Sequence, residues 1–370
     1  MTTVYLIRHA EAEGNVYRRC HGQYDSLLTP RAYEQLPHLA KRFADVPLDA
    51  VYASDLFRAR TTARAVAEPH HLSVEIRPVL REIDMGDWED IPWAELPRLW
   101  PEEYALWRTR PWDAVPPHGE SVMQAGERML NGVRALARHH AGGHIAVVTH
   151  GSAIRGALTL AYGLAPEQMG EVGWGDNTCV AKLELDETGA ATVVYANDAS
   201  HLPAALSTFA SIGWTDNKGV PETPQLWFRR FDPMNPSDTE LFLSFVRGAG
   251  VDTPQDVLTD AVSRALHVSP RAVTFGCLES GEEVALVCLH AHEDDDPATG
   301  IIGALCVSEA YRRRGLGGQL MGQAISAYRA MGRTCLCADA ADEQSTAFYR
   351  RFSFAPRGDS GRLYRNIGIE

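Results

Sequence analysis

Two short runs of consecutive apolar residues stand out in the first half of the chain, at residues 4–7 and 145–149. Around them, apolar positions recur at helical spacing over residues 30–43, 57–66 and 121–139. Strands alternating with helices of this size predict an α/β domain with a largely parallel sheet. In such sheets ligands gather beyond the carboxyl ends of the strands. Both runs end there in a histidine, His9 after Arg8 and His150 before Gly151.

Residues 207–224 have no period and are rich in Gly, Pro, Thr and Asn, which reads as a linker. The pattern then restarts. A strand is predicted at 225–231, helices at 239–246 and 253–266, and a hairpin of 273–278 with 283–290 about Gly281. A strand at 301–307, a Gly-rich turn, a helix at 316–330, a strand at 334–338 and a helix at 344–352 complete it. The expected division is therefore a first domain at 1–206, a linker at 207–224 and a second α/β domain at 225–370.

A length of 370 residues agrees with two cores. The composition, 45% hydrophobic and 22% charged, is that of a globular protein. A formal net charge of −13 disfavours nucleic acid and anionic membrane as partners, so an anionic substrate needs a focused cluster of cations. Lysine occurs only as Lys41, Lys182 and Lys218; the cations are otherwise arginines, the better bidentate partners for phosphate. Seven scattered cysteines without a CxxC pair argue against a disulfide framework, and Cys335 and Cys337 read as packed thiols. No stretch has the length of a membrane span, and the chain runs directly into its first strand, so a cytoplasmic location is expected. His290 and His292, followed by four acidic residues, read as a solvated hairpin end, and no metal is expected.

Phosphoryl transfer to an enzyme group needs a nucleophile, cations for the equatorial oxygens and an acid for the leaving oxygen. His9 supplies a nucleophile beside Arg8, and neighbouring arginines keep an imidazole neutral. Arg58 and His150 can add positive charge, Asn15 a neutral donor, and Glu82 is the candidate acid, later the base that activates water. Arg8-His9-Ala10-Glu11-Ala12-Glu13-Gly14-Asn15 resembles the RHG-E-x-x-x-N signature of the histidine phosphatase superfamily, also called phosphoglycerate-mutase-like. The resemblance continues in order through Gly22-Gln23-Tyr24-Asp25 with Leu28-Thr29-Pro30, and Ser54-Asp55-Leu56-Phe57-Arg58-Ala59 with Thr61-Thr62-Ala63. Arg81-Glu82-Ile83-Asp84-Met85-Gly86-Asp87-Trp88-Glu89, Gly119-Glu120-Ser121 and Val148-Thr149-His150-Gly151 complete it. It implies an α/β/α sandwich, a phosphohistidine at His9, phosphoryl binding by Arg8, Arg58 and His150 with Asn15 assisting, and proton donation by Glu82. Ala10 stands where glycine is commoner. Cofactor-dependent mutases of this family carry a basic insert after the acid; here Trp88-Glu89-Asp90 runs straight into Ile91-Pro92-Trp93, which favours hydrolysis. Trp93, Trp100, Trp107 and Trp112 can line the substrate pocket or pack as core or lid.

In the second half, Arg312-Arg313-Arg314-Gly315-Leu316-Gly317-Gly318 follows a strand and opens a helix. Glycines there let backbone N–H groups approach an anion, and a helix N-terminus favours negative charge. With the strand and Asp342…Phe348-Tyr349…Phe354 that follow, this resembles a GNAT-type N-acetyltransferase, a mixed-sheet α/β domain, over roughly residues 225–365. The resemblance implies that Arg312, Arg313, Arg314, Gly315, Leu316, Gly317 and Gly318 cradle the pyrophosphate of acetyl-CoA. It also implies that Cys306 and Val307 offer backbone groups to its pantetheine, and that Tyr349 protonates the leaving thiolate. Asp342 stands where the family often has Asn, and Ser353 where Gly is usual before Phe354.

The sequence thus points to a phosphomonoesterase acting on a small phosphorylated metabolite, with no cofactor in that domain. An acetyl-CoA-dependent acetyltransferase acting on an amine is fused to it. Alternatives are a GNAT-type domain that only binds acyl-CoA as a regulatory module, a mutase-type phosphotransferase, and a catalytically inert scaffold for phosphorylated ligands.

Overall fold

The computed structural model describes residues 1–211, 224–248, 262–263, 265–267, 269–290, 296–358 and 361–369. These group into two compact units. The first comprises Met1–Asn15, Cys20–Ile91 and the chain from Leu96 to 211; the second comprises Val16–Arg19, Pro92–Glu95 and the described residues from 224 on. The linker expected at 207–224 lies mostly outside the described residues, although Thr208–Ser211 forms a short helical turn. The helix expected at 253–266 and the segment after His290 likewise lie wholly or largely outside them.

Among the described residues of the first unit, six strands form one sheet: β1 (Thr2–Arg8), β2 (Ala50–Ala53), β3 (Val74–Ile76), β4 (His144–Thr149), β5 (Val180–Leu185) and β6 (Ala191–Asp198). Their order is β3-β2-β4-β1-β5-β6. The first four run parallel, and β5 and β6 close one edge antiparallel. Side chains alternate across β1. Val4 and Leu6 pack with Met129, Leu130 and Val133 of helix Val122–His139. Ile7 packs on the other face with Leu39 and Phe43 of helix Pro30–Phe43 and with Ala59, Ala63 and Val66 of helix Phe57–Ala67. Helices on both faces are why β1 and β4 read as unbroken apolar runs.

Local chemistry starts these helices. Thr29 accepts the Ala32 N–H ahead of Pro30, and Ser121 with Gln124 forms a reciprocal capping box. Helix Val122–His139 crosses helix Gly151–Ala161 backbone to backbone. A Cβ built on Gly126 would lie 2.3 Å from the Gly156 carbonyl carbon, so the crossing requires glycine.

The second unit holds a mixed sheet which, among the described residues, has seven strands in the order β12-β13-β11-β10-β9-β8-β7. They are β7 (Trp227–Arg230), β8 (Val273–Cys277), β9 (Glu283–Leu289), β10 (Thr299–Val307), β11 (Cys335–Ala338), β12 (Ala355–Pro356) and β13 (Leu363–Asn366). Helices Pro236–Gly248, Leu316–Ala330 and Glu343–Arg350 accompany it. β10 and β11 are the parallel pair, in register only over Thr299–Ile302. Beyond that, β10 keeps its antiparallel partner β9 up to Val307, while its other side has left β11. Among the described residues no helix is long and apolar enough to cross a membrane.

Candidate active site

The parallel pairing of β1 with β4 sets Arg8 opposite Thr149, so the next residue of each strand is a histidine. The rings of His9 and His150 lie 5.2 Å apart, centroid to centroid. The His9 backbone is fixed on both sides: its N–H donates to Thr149 O, and its carbonyl accepts from Asn177 Nδ2 at 2.8 Å. Its ring Nδ1 lies 2.7 Å from the Ala10 carbonyl. A carbonyl only accepts, so Nδ1 carries the proton, and a neutral ring then presents a bare Nε2. Burial holds His9 well below the usual histidine range, and Arg58 and Arg8 push it further the same way. The neutral ring is thereby favoured.

Arg58 is buried and comes from the first turn of helix Phe57–Ala67. Its Nη2 donates to Gly22 O at 2.6 Å and its Nη1 to Tyr24 O at 2.9 Å. Arg8 Nη1 donates to Gly175 O at 2.6 Å, whereas its buried Nε has no partner. Both ring nitrogens of His150 are also buried without a partner, and burial, then Arg58, then His9 lower its pKa well below the ordinary value. Orphaned buried nitrogens call for a ligand or a cost of about 1–3 kcal/mol each. Here the Arg8 Nε–H and the single N–H of a neutral His150 ring, on two residues beside His9, are donors that suit an anion's oxygens.

Glu82 sits at the N-terminus of helix Gly151–Ala161. Its Oε1 accepts from Ala153 N at 2.9 Å and its Oε2 from Ser152 N at 3.2 Å. Arg128 fixes the stretch that carries it, donating to the carbonyls of Val79, Arg81 and Glu82 while gripping the Glu120 carboxylate. Thr62 joins the two halves of the site, accepting from Ala10 N and donating to Arg58 O. Asn15 uses its Oδ1 on Ala12 N, which commits the oxygen to the local turn and leaves the amide nitrogen as its donor. Sequence reasoning did not single out Arg128, Thr62 or Gln23 as working residues. Thr62 and Gln23 stand inside segments quoted for the resemblance, and Arg128 lies eight residues beyond Glu120 on the face of an amphipathic helix.

Trp88 is fully buried and meets the rings of Trp100, Tyr104 and Trp107 at centroid distances of 6.4, 6.2 and 5.8 Å. Trp100 and Trp107 therefore pack against the segment that follows Glu82, in accord with the core-or-lid reading.

In the second unit, Gly315 precedes helix Leu316–Ala330 in a left-handed conformation (φ +79°), as does Arg313 (φ +61°), and no side chain caps the helix. The first-turn N–H groups, of Leu316, Gly317 and Gly318, thus lack a side-chain cap. Arg312 turns back, its Nε donating to Val307 O at 3.1 Å, and Arg314 stacks over the Tyr311 ring. Cys306 is buried, its thiol pushed up to about 11, chiefly by burial. Tyr349 is buried beside Phe348 and Phe354, and burial raises its hydroxyl. Asp342 caps helix Glu343–Arg350, accepting from Ser345 N at 2.7 Å. Ser353 adopts φ +64°, the conformation for which glycine is the usual choice. Among the described residues no cluster of three or more His, Cys, Asp or Glu side chains could hold a metal; His290 is described, and of the acidic residues that follow it only Asp296 is.

One half of the chain thus brings together a strand-end histidine pair, two arginines and a carboxylate held at a helix N-terminus. Residues 4–198, more than half the chain, match the model of the histidine phosphatase superfamily (branch 1), and the chain belongs to that superfamily. Residues 241–354 match the acetyltransferase (GNAT) family. Relatives include a probable phosphoglycerate mutase GpmB of Proteus mirabilis, 37% identical over 171 residues, which are 44% of this chain and 76% of the relative. The protein of the same name from Escherichia fergusonii is 29% identical over 218 residues, 55% of this chain and 96% of that one. Among solved structures, Bacillus stearothermophilus YhfR matches with a TM-score of 0.52 and 30% identity, covering 54% of this chain and 99% of that one.

Proposed function

We propose that the first unit is a phosphomonoesterase working through a phosphohistidine on a small phosphorylated metabolite. The observation that carries this reading is the His9 ring. Its Nδ1 is committed to Ala10 O, and its Nε2 is left to attack beside Arg8, Arg58 and His150. In the reaction His9 Nε2 forms a bond to phosphorus as the ester P–O bond breaks, and Glu82 gives its proton to the departing oxygen. Glu82, now a carboxylate, takes a proton from water, and the hydroxyl attacks phosphorus to release phosphate and free His9. Arg8, Arg58 and His150, assisted by Asn15, hold the equatorial oxygens throughout.

A second reading, phosphoryl exchange within a phosphoglycerate, is favoured by the name the GpmB relatives bear. The sequence after Glu82 lacks the basic insert that would hold a bisphosphate, which supports hydrolysis. The deciding experiment supplies a panel of metabolite phosphates, including both monophosphoglycerates, to wild type and His9→Ala. His9-dependent release of inorganic phosphate from one preferred ester is expected. Isomerisation of phosphoglycerate without release would establish the mutase, and no His9-dependent turnover would sink both readings.

For the second unit, at proposed boundaries 225–370 after a first domain at 1–206, we propose acetyl-CoA-dependent N-acetylation of an amine. Bound acetyl-CoA would supply the acyl thioester. Uncapped first-turn amides at Leu316–Gly318 fit its pyrophosphate, and the parting of β10 from β11 leaves Cys306 and Val307 at an unpaired strand side. Tyr349 is suited to hold its proton until the thiolate leaves. Binding without acetyl transfer to any amine of a panel would leave the regulatory-module reading. All seven cysteines are free thiols, which supports a reducing, cytoplasmic setting.

A further inference from the structure

The carboxylate paired with Arg58 is that of Asp25, whose Oδ1 lies 3.9 Å from Nη1. The Arg58 guanidinium donates hydrogen bonds to two carbonyls, those of Gly22 and Tyr24, the residues on either side of Gln23. The Gln23 N–H donates to Glu89 Oε1 at 2.6 Å. The same oxygen accepts from Met85 N at 3.3 Å and lies so close to Gly22 that a Cβ there would approach it to 2.6 Å. Gly22 itself has φ +47°. The Gln23 side chain completes the connection, its Nε2 donating to Glu82 O and its Oε1 accepting from Arg81. One three-residue loop thus bridges the phosphate-binding arginine and the backbone of the proposed acid, and one carboxylate pins its centre. Glu89 is in turn fixed because it follows Trp88, which is fully buried.

We propose that Glu89 is a positioning residue that sets the Arg58 clamp by anchoring the Gly22–Gln23–Tyr24 loop, and that its ionisation tunes the clamp. The proposal rests on the phosphatase reading for its kinetic consequence only. The groups that face Glu89 are Asp84, Arg58, Arg81 and Cys20. Burial raises its carboxyl to about 7, with the Gln23 and Met85 N–H bonds opposing and Asp84 reinforcing the shift. An ionised carboxylate is the stronger acceptor, so the loop is tightest above that pH and loosens as Glu89 takes a proton.

Two variants test it. Glu89→Gln keeps an acceptor oxygen but does not titrate; Glu89→Ala removes the acceptor. The Gln23 amide resonance of the full-length protein is followed from pH 5.5 to 8.5, together with affinity for inorganic phosphate and kcat/KM. The wild-type amide should shift with a midpoint near 7. In Glu89→Gln that step should vanish, with kcat/KM flat across the same range where wild type rises. Loss of a charged hydrogen bond, at about 1.5–3 kcal/mol, predicts phosphate affinity lower by about 10- to 100-fold in Glu89→Ala, and substantial rescue in Glu89→Gln. A wild-type Gln23 amide that ignores pH, or Glu89→Ala with undiminished phosphate affinity, would overturn the proposal. Absence of His9-dependent hydrolysis in wild type would count against the phosphatase reading alone, because the amide titration reads the anchor without turnover.

Discussion

Acidification should strike the first unit through the two imidazoles at its centre. His9 and His150 are both buried, and burial with the adjacent Arg58 and Arg8 charges holds each well below 6.5. In the unfolded chain both return to about 6.5. The unfolded state therefore binds more protons below that pH, so stability is intact above 6.5 and falls as the pH drops toward the folded values. At pH 5.5 an imidazole neutral when folded and ordinary when unfolded costs RT ln 11, about 1.4 kcal/mol, and the pair about 2.8 kcal/mol. At pH 7.5 the same term is below about 0.1 kcal/mol per ring. The assay is urea unfolding of the first unit at the two pH values, for wild type, His9→Asn and His150→Asn. Each substitution shifts absolute stability for its own reasons, but each should cut the acid-induced loss by about 1.4 kcal/mol, because all other titrations are shared. Saturating inorganic phosphate should also shrink the loss, since an anion beside His150 favours its protonated form. The reasoning is refuted if both variants lose as much stability as wild type between pH 7.5 and 5.5.

Arg58→Lys keeps the charge but cannot reach the Gly22 and Tyr24 carbonyls with two nitrogens in a plane; kcat/KM should fall by about 10- to 100-fold, corresponding to about 1.5–3 kcal/mol, and a loss under threefold would argue against a bidentate clamp. Gly126→Ala gains up to about 1 kcal/mol of helix propensity but drives a methyl into the Gly156 backbone. Overpacking of about 1–3 kcal/mol should win, lowering Tm by a few degrees in a thermal melt, and a rise in Tm would show that the crossing can open freely. Gly315→Val places a β-branched residue at φ +79°, and strain of about 1–3 kcal/mol predicts acetyl-CoA affinity lower by about tenfold or more in calorimetry. Unchanged affinity would remove the turn from the pyrophosphate site.

How far each feature could be read in advance depended on whether its cause was local. The helices at 30–43 and 316–330 carry their own signals in apolar spacing and in a Thr-Pro or Gly start, and the structure ends them at those residues. The short apolar runs of β1 and β4 announced strands, and their adjacency put His9 beside His150. The edge strand β6 escaped notice because none of its positions is fully buried and it is paired on one side only. The tautomer of His9, fixed by the next residue's carbonyl, depends on a ring orientation that composition does not encode.

The supports of the site show the same division more sharply. Arg8, Arg58, Glu82 and His150 stand out as residue types, because phosphoryl chemistry demands cations and a carboxylate. What aims them is mostly backbone: the carbonyls of Gly22, Tyr24 and Gly175 for the arginines, and the N–H groups of Ser152 and Ala153 for Glu82. Any residue can supply a carbonyl, so such supports leave no mark in the sequence except where geometry forces one, as the positive φ does at Gly22. The side chains that fix those backbone segments do leave a trace. Arg128 and Glu89 each stand beside a fully buried side chain, Met129 and Trp88, and with Gln23 each bonds to main chain. A polar residue next to a fully buried one such as Trp88 has little freedom to be decorative. Its position is set by its neighbour's packing, and the bond it makes there is the reason a carboxylate rather than any solvated side chain occupies the place.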